Sequence, residues 1–266
     1  MALRTPSRSA PHRGVDPAAM TVAQHLNELR RRLLISLGAV AVGSIVVFGL
    51  FDHVLALLIH PYCVAVGPGR SCNLYVTGPL DGLSIRVEVA AYGGVVLALP
   101  LLLFHFWRFV TPGLRPGERK MTASFVCSSL ALFLAGCAVA FSTLPHALAW
   151  LGTIGGPSLR EIYSPSSYIG LLLLMMAAFG LTFELPVVLV SLQAAGVLTP
   201  SRLSSWRRYA IVALVALAAV VTPSSDPFSM FALAIPLLVF YEVSILVGKL
   251  LLGRRGPART STRPRR

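Results

Sequence analysis

The segment YIGLLLLMMAAFGLTFELPVVLVSL, at Tyr168–Leu192, contains a single charged side chain, Glu184, in 25 residues. About 20 predominantly apolar residues are enough to cross the hydrocarbon core of a bilayer as a helix. The composition of the whole chain agrees with this, since 55% of the 266 residues are hydrophobic, 12% are charged and the mean hydropathy is +0.75. Soluble domains are less apolar and about twice as charged. Lipid is therefore the expected solvent of this protein.

Five further apolar runs predict a polytopic, all-α integral membrane protein with six transmembrane helices. Pro100 falls inside one of these runs and predicts a kink. The fifth span in chain order has only 13 residues, which reach ~20 Å as a helix against the ~30 Å of a typical bilayer core. We interpret the fifth and sixth spans as short helices joined by a hairpin, because basic groups lie at both far ends. The five runs are Leu33–Phe51, Val87–Phe109, Met121–Leu144, Tyr209–Val221 and Phe228–Leu246.

The basic residues lie almost entirely on one side of the predicted membrane. The net charge is +13, and with the N-terminus inside, 20 of the 23 Lys and Arg residues fall in cytoplasmic segments. This positive-inside asymmetry places both termini in the cytoplasm and explains the basicity without a nucleic-acid partner. Residues 1–20 contain no apolar run and are expected to form a disordered basic leader. The membrane domain is expected at residues 21–253, followed by a basic cytoplasmic tail at 254–266.

The longest predicted external segment, Phe51–Leu83, mixes helix breakers with polar residues and is too irregular for a span. We interpret it as a loop with room for short interfacial helices. Cys63 and Cys72 in this segment are a disulfide candidate, and the sequence leaves their redox state open. No Cys/His cluster has metal-ligand spacing, so the sequence predicts no metal site and no cofactor. The membrane runs also carry no GxSG, HExxH or nucleotide-binding motif, so we predict no enzymatic activity.

Four motif-bearing segments follow one another along the chain. They are HLNELRRR at His25–Arg32, HFWRFVTPGLRPGER at His105–Arg119, FGLTFELPV at Phe179–Val187 and TPSSDPFSMFALAIP at Thr222–Pro236. In this order, with the predicted spans between them, they resemble the TatC family of twin-arginine (Sec-independent) protein translocase receptors. The resemblance extends over about Thr21–Gly253. It implies a cup-shaped protein of six helices in the cytoplasmic membrane of a prokaryote.

The resemblance also implies a function and partners. TatC proteins receive folded cargo that bears a twin-arginine signal peptide, and they work with single-span proteins of the TatA and TatB type in a hetero-oligomer of several copies. Export is then driven by the proton-motive force. A different class, a proton- or ion-coupled secondary transporter of small solutes, is the alternative. It is suggested by Glu184 and the helix breaker Pro186, since a carboxylate in a broken span is typical of a coupling site.

Carboxylates are the strongest planar partners for the paired arginines of a signal peptide. Outside the membrane runs, the predicted cytoplasmic side has only three acids, Asp16, Glu28 and Glu118. The family resemblance places Glu28 and Glu118 at positions associated with signal-peptide recognition, together with Arg30 and Phe109. It places Pro61 and Pro100 at positions associated with structure and activity.

Each of these residues also has a simpler interpretation. Glu28 can pair with Arg31 or Arg32 one helical turn on, a contact worth a few tenths of a kcal/mol. Glu118 adjoins Arg119 and Lys120 as ordinary loop charge. Arg30 can serve as a topology determinant, and Phe109 as an interfacial aromatic.

Two further acids, Glu184 and Asp226, are candidate site residues in or beside the membrane runs. Glu184 should face protein or a wet cavity, because an exposed charge in lipid costs several kcal/mol. The resemblance places it on the concave face of the cup, in function or assembly. Asp226 is a candidate N-cap of the sixth span and a candidate lining residue of the external hairpin. The family often has Gln at the positions of His105 and Met230, so this chain departs from it at both.

Overall fold

The computed structural model describes residues 22–67, 74–76, 78–110, 122–154, 164–222 and 226–253. Within these ranges all regular structure is helical, which confirms the predicted all-α class. The helices are α1 Val22–Gly49, α2 Phe51–Val66, α3 Asp81–Val110, α4 Thr122–Ile154, α5 Pro165–Thr182, α6 Leu185–Ala194, α7 Pro200–Ser205, α8 Arg207–Val221 and α9 Pro227–Gly253. The predicted leader and tail, residues 1–20 and 254–266, lie outside the described residues.

Among the described residues, five candidate spans are long and apolar enough to cross a membrane. They are formed by α1, α3, α4, the pair α5–α6 and α9. The fifth predicted span is α8, whose 15 residues agree with the expectation of a short helix. The last span differs in length, because α9 has 27 residues and continues past Lys249, beyond the predicted end at Leu246. Backbone hydrogen bonding carries a helix past the end of its apolar run, so hydropathy underestimates its length.

The fourth predicted span is broken into α5 and α6 at Phe183–Glu184. Pro186 stands in the first turn of α6. A proline there has no N–H to give to the carbonyl four residues earlier, so the ladder is interrupted just ahead of it. The sequence thus places Glu184 at a helix break within a membrane span.

The external segment is more ordered than expected, because α2 occupies its first half and contains Pro61 as a buried residue. Gly67 ends α2 with φ at 82°, a conformation that favours glycine. The Tyr168 hydroxyl of α5 donates to the Leu58 carbonyl of α2 at 2.8 Å, which ties this helix to the membrane core. Cys72 lies outside the described residues, so the redox state of Cys63 and Cys72 stays open.

Helices α1 and α3 approach each other through small residues. A Cβ placed on Gly43 would lie 2.8 Å from the carbonyl oxygen of Gly94. A Cβ on Gly94 would overlap Ser44, and one on Gly93 would lie 2.8 Å from Val47 Cγ1. Lipid supplies no hydrophobic drive between helices, so close backbone packing through small residues is what stabilises such a pair. We call Gly43, Ser44, Val47, Gly93 and Gly94 the α1–α3 seam.

At the other side of the molecule, Gln193 clamps α6 to α9. Its amide nitrogen donates to the carbonyl oxygens of Ser244 at 3.0 Å and Leu189 at 3.2 Å, and the side chain is buried. Gly248 leaves room for it, since a Cβ there would overlap the Gln193 amide. The clamp lies near the inner ends of both helices.

We expect reporter fusions to place both termini in the cytoplasm, because the positive-inside asymmetry involves 20 of 23 basic residues. An externally active phosphatase fused after Gly253 should be inactive, and a tag within Arg202–Arg208 should be protected from outside. The matched control is the same phosphatase fused at Gly67, which should be active. Phosphatase activity at Gly253 would contradict this orientation.

Candidate functional site

Glu28 lies on the second turn of α1, where the helix register brings Arg32 onto the same face. The Arg32 guanidinium donates through Nη2 to Glu28 Oε1, which is the i,i+4 pair that the sequence allowed. Arg32 also donates through Nη1 to the backbone carbonyl oxygen of His105 on α3, at 3.2 Å. Glu28 is therefore joined to the inner end of α3 through one partly buried guanidinium.

An open cleft of about 720 Å³ adjoins this pair. Its six lining residues include one acid, Glu28, and two bases, Arg30 and Arg31. The Glu28 side chain is 38% exposed, against 14% for Arg32. The carboxylate therefore faces the cleft, and Arg32 lies behind it.

Glu28 and Arg30 both line this cleft, and their role in signal-peptide recognition stays a prediction. Glu118 and the side chain of Phe109 lie outside the described residues, although the backbone of Phe109 belongs to the last turn of α3. The joint role of Glu28 and Glu118 stays a prediction.

Glu184 occupies the break between α5 and α6, where its carboxylate is within hydrogen-bonding range of the Ser129 hydroxyl on α4. The Trp107 indole N–H of α3 donates to Ser129 Oγ at 2.9 Å. Because Ser129 Oγ is the acceptor in that bond, its own hydroxyl hydrogen can be donated to the Glu184 carboxylate. Glu184 Oε1 is buried and has no hydrogen-bond partner among the described residues. The side chain thus lies against protein, in a three-helix contact at the inner half of the bundle.

The inner end of α3 connects the two acids. The His105 carbonyl holds Arg32, which holds Glu28, and Trp107 two residues later reaches Ser129 and so Glu184. Trp107 is also stacked on Phe125 of α4, with ring centroids 5.1 Å apart. One turn of α3 therefore positions both carboxylates.

Asp226 is buried, and its Oδ1 accepts from the backbone N–H of Ser229 at 2.7 Å. This is an N-cap of α9, with Pro227 in the first helical position. Pro100 lies inside α3 with an exposed side chain. Met230 is partly buried against the main core.

Sequence analysis did not single out three polar side chains that the structure places in helix contacts. Ser129 and Trp107 are ordinary members of apolar runs, and only the packing of α3 on α4 identifies them as partners of Glu184. Glu88 of α3 lies over Gly170 of α5, where a Cβ would be 3.3 Å from Glu88 Oε1. A carboxylate inside an apolar run was the available signal for Glu88.

Within the described part of the chain, no group of three or more His, Cys, Asp and Glu side chains could hold a metal ion.

The Arg207 guanidinium of α8 pairs with the Glu242 carboxylate of α9 at 2.8 Å. Both side chains are about half exposed, so this pair contributes little to stability.

Comparison with known proteins identifies the fold and the family. The model of the family described as Sec-independent protein translocase protein (TatC) matches residues 24–236. The Sec-independent protein translocase protein TatC of Frankia casuarinae is 37% identical over 261 residues, covering 95% of this chain and 71% of that protein. TatC of Aquifex aeolicus is 36% identical over 234 residues, covering 87% and 95%.

A solved structure agrees with these relatives. The crystal structure of a twin arginine translocase receptor, TatC, superimposes with a TM-score of 0.69 at 37% identity. It covers 85% of this chain and 98% of that one. The match confirms a polytopic helical membrane fold that serves protein transport and not enzymatic catalysis. The chain therefore belongs to the TatC family of Sec-independent protein translocase proteins.

Proposed function

We propose that this protein binds twin-arginine signal peptides at the cytoplasmic face of the cell membrane and passes folded cargo to TatA- and TatB-type partners. The observation that carries the proposal is the cleft at the inner end of α1, in which Glu28 is the one acid among the lining residues and is flanked by Arg30 and Arg31. The family membership supports the same role.

The electrostatics of the cytoplasmic face make such an acid selective. A face that carries about 20 cations repels a basic peptide in general. Binding therefore depends on local carboxylates that accept charge-assisted hydrogen bonds from the guanidinium groups. We propose Glu28, which lines the cleft, as one acceptor of the signal-peptide arginines and Glu118 as the other.

Glu184 is proposed to serve the membrane-embedded part of the process. A single-span partner or the apolar part of a signal peptide that packs beside α5 and α6 would meet the carboxylate at the helix break. The contact with Ser129 orients the Glu184 carboxylate, and the serine hydroxyl brings no positive charge that would neutralise it. We propose assembly in several copies of a hetero-oligomer, with lipid around the remaining apolar faces.

An export assay tests the proposed function. A folded reporter with an RR signal peptide should be exported by a bacterial strain that carries this protein with its TatA- and TatB-type partners in place of its own TatC. The same reporter with a KK signal should stay in the cytoplasm. If the RR reporter stays inside while the protein is correctly inserted, the proposal fails and the ion-coupled solute transporter becomes the better hypothesis.

We expect Glu184→Leu to reduce export at least tenfold, because it leaves the Ser129 hydroxyl without its acceptor and removes a polar group that a partner would meet. Glu184→Gln keeps a hydrogen-bond acceptor and should retain more activity. The control is Leu181→Ala, one turn earlier and 72% exposed, which should export normally. Export and partner crosslinking at the wild-type level in Glu184→Leu would reduce Glu184 to a tolerated structural residue.

A further inference from the structure

The Arg32 side chain is held by hydrogen bonds to two different groups, whereas one oxygen of the Glu28 carboxylate is used for Arg32. The Arg32 guanidinium is bonded to the Glu28 carboxylate and to the His105 carbonyl oxygen, and its side chain is 14% exposed. Glu28 uses Oε1 for Arg32 and is open to the cleft. The proposed acceptor of the signal peptide therefore already holds an arginine of its own chain.

We propose that Arg32 is a specificity-determining residue that occupies Glu28 in the resting receptor and yields one carboxylate oxygen to an arginine of the signal peptide. The inference rests on the proposed function and deepens it. It assigns to Arg32 a competition with the ligand, in addition to its contact between α1 and α3.

The two kinds of basic ligand need different parts of the carboxylate. A guanidinium fork makes two parallel hydrogen bonds and needs both oxygens of one carboxylate. While Arg32 holds Oε1, an incoming guanidinium must share that oxygen with Arg32 or use Oε2 alone, so its two-bond fork is weakened. An ammonium acts as a point charge and can use Oε2 without displacing Arg32. Arg32 therefore weakens the binding of arginine more than the binding of lysine.

Displacement of Arg32 from Glu28 does not leave its guanidinium without a hydrogen-bond acceptor. The bond from Nη1 to the His105 carbonyl is independent of the bond from Nη2 to Glu28. Arg32 can release the carboxylate and keep its contact with α3. The competition keeps the affinity for the signal peptide low enough for release, which a transport cycle requires.

The test compares Arg32→Gln with Arg31→Gln. Both variants remove one cation from the neighbourhood of Glu28. Arg31 lines the cleft, whereas Arg32 lies behind the carboxylate and is bonded to it. RR and KK signal peptides are titrated against each full-length variant in membranes. We expect Arg32→Gln to bind the RR peptide about three- to tenfold more tightly than Arg31→Gln does, as one freed charge-assisted hydrogen bond allows. The KK peptide should bind both variants equally.

A double-mutant cycle separates competition from structural support. In a Glu28→Gln background, Arg32→Gln should give no gain for the RR peptide over Arg31→Gln. Equal RR affinities of Arg32→Gln and Arg31→Gln with Glu28 present would overturn the inference, and so would weaker RR binding by Arg32→Gln. If Arg32→Gln does not fold, Arg32→Lys against Arg31→Lys serves instead, with a smaller gain expected.

Failure of the proposed function gives a different result. If Glu28→Gln alone binds the RR peptide like the wild type, Glu28 is not the acceptor, whatever Arg32 does. If Glu28→Gln weakens RR binding and Arg32→Gln does not strengthen it, the acceptor stands and the competition by Arg32 is rejected.

Discussion

Replacing both Glu28 and Glu118 by Gln is expected to weaken RR signal-peptide binding by roughly two to four orders of magnitude. Each carboxylate would supply charge-assisted contacts of ~1.5–3 kcal/mol, and 1.4 kcal/mol is a factor of ten. Gln keeps the shape and one acceptor oxygen, so the loss reports the charge. Each single variant should lose part of the affinity.

The measurement is binding or crosslinking of RR and KK peptides to the wild type, the two single variants and the double variant, with membrane insertion checked separately. The preference for RR over KK should shrink with each change, because lysine cannot form the planar fork. The control is Glu242→Gln, which removes a half-exposed acid paired with Arg207 between α8 and α9 and should leave peptide binding unchanged. RR binding at the wild-type level in both single variants would return these acids to the role of ordinary partners of neighbouring bases.

The membrane fold could be predicted because its signals are local. The apolar runs and the basic groups at their ends identified α8 as a span even though it has 15 residues. The sequence underestimated the length of α9, because the helix continues past Lys249 to Gly253. Beyond the lipid a helix can continue through polar residues, so hydropathy does not mark its end. Helix α2 was missed as a single element because Pro61 counts as a breaker in the sequence, whereas the structure accommodates it inside the helix.

The candidate site could be predicted only in part. The Glu28–Arg32 pair follows from helix register, since residues four apart share a face. The second contact of Arg32, with the His105 carbonyl, depends on how α1 lies against α3 and has no signal in either segment. The same is true of Ser129, which reaches Glu184 only because α4 packs beside the break in the fourth span.

The α1–α3 seam is expected to control the Glu28 site from a distance. Its glycines set the separation of α1 from α3, and Arg32 bridges the same two helices at their inner ends. Gly94→Leu should be the most damaging single change in the seam, because a Cβ there would overlap Ser44 Oγ and lie 2.6 Å from the Ser44 backbone nitrogen. Backbone atoms of a packed helix cannot move aside as a flexible side chain would.

We expect Gly94→Leu and Gly43→Leu to lower the free energy of unfolding by at least the ~1–3 kcal/mol typical of overpacking, and to reduce the amount of folded protein recovered in detergent. The matched control is Gly38→Leu, on the same α1 and with nothing within 4 Å of a new Cβ, which should fold normally. Thermal stability and size-exclusion profiles check the three variants. Any seam variant that does fold should bind the RR peptide weakly, because separating α1 from α3 breaks the Arg32 bond to His105 and moves Glu28. Wild-type stability in both seam variants would mean that small residues do not set the approach of the two helices, and the coupling of the seam to Glu28 would then be rejected as well.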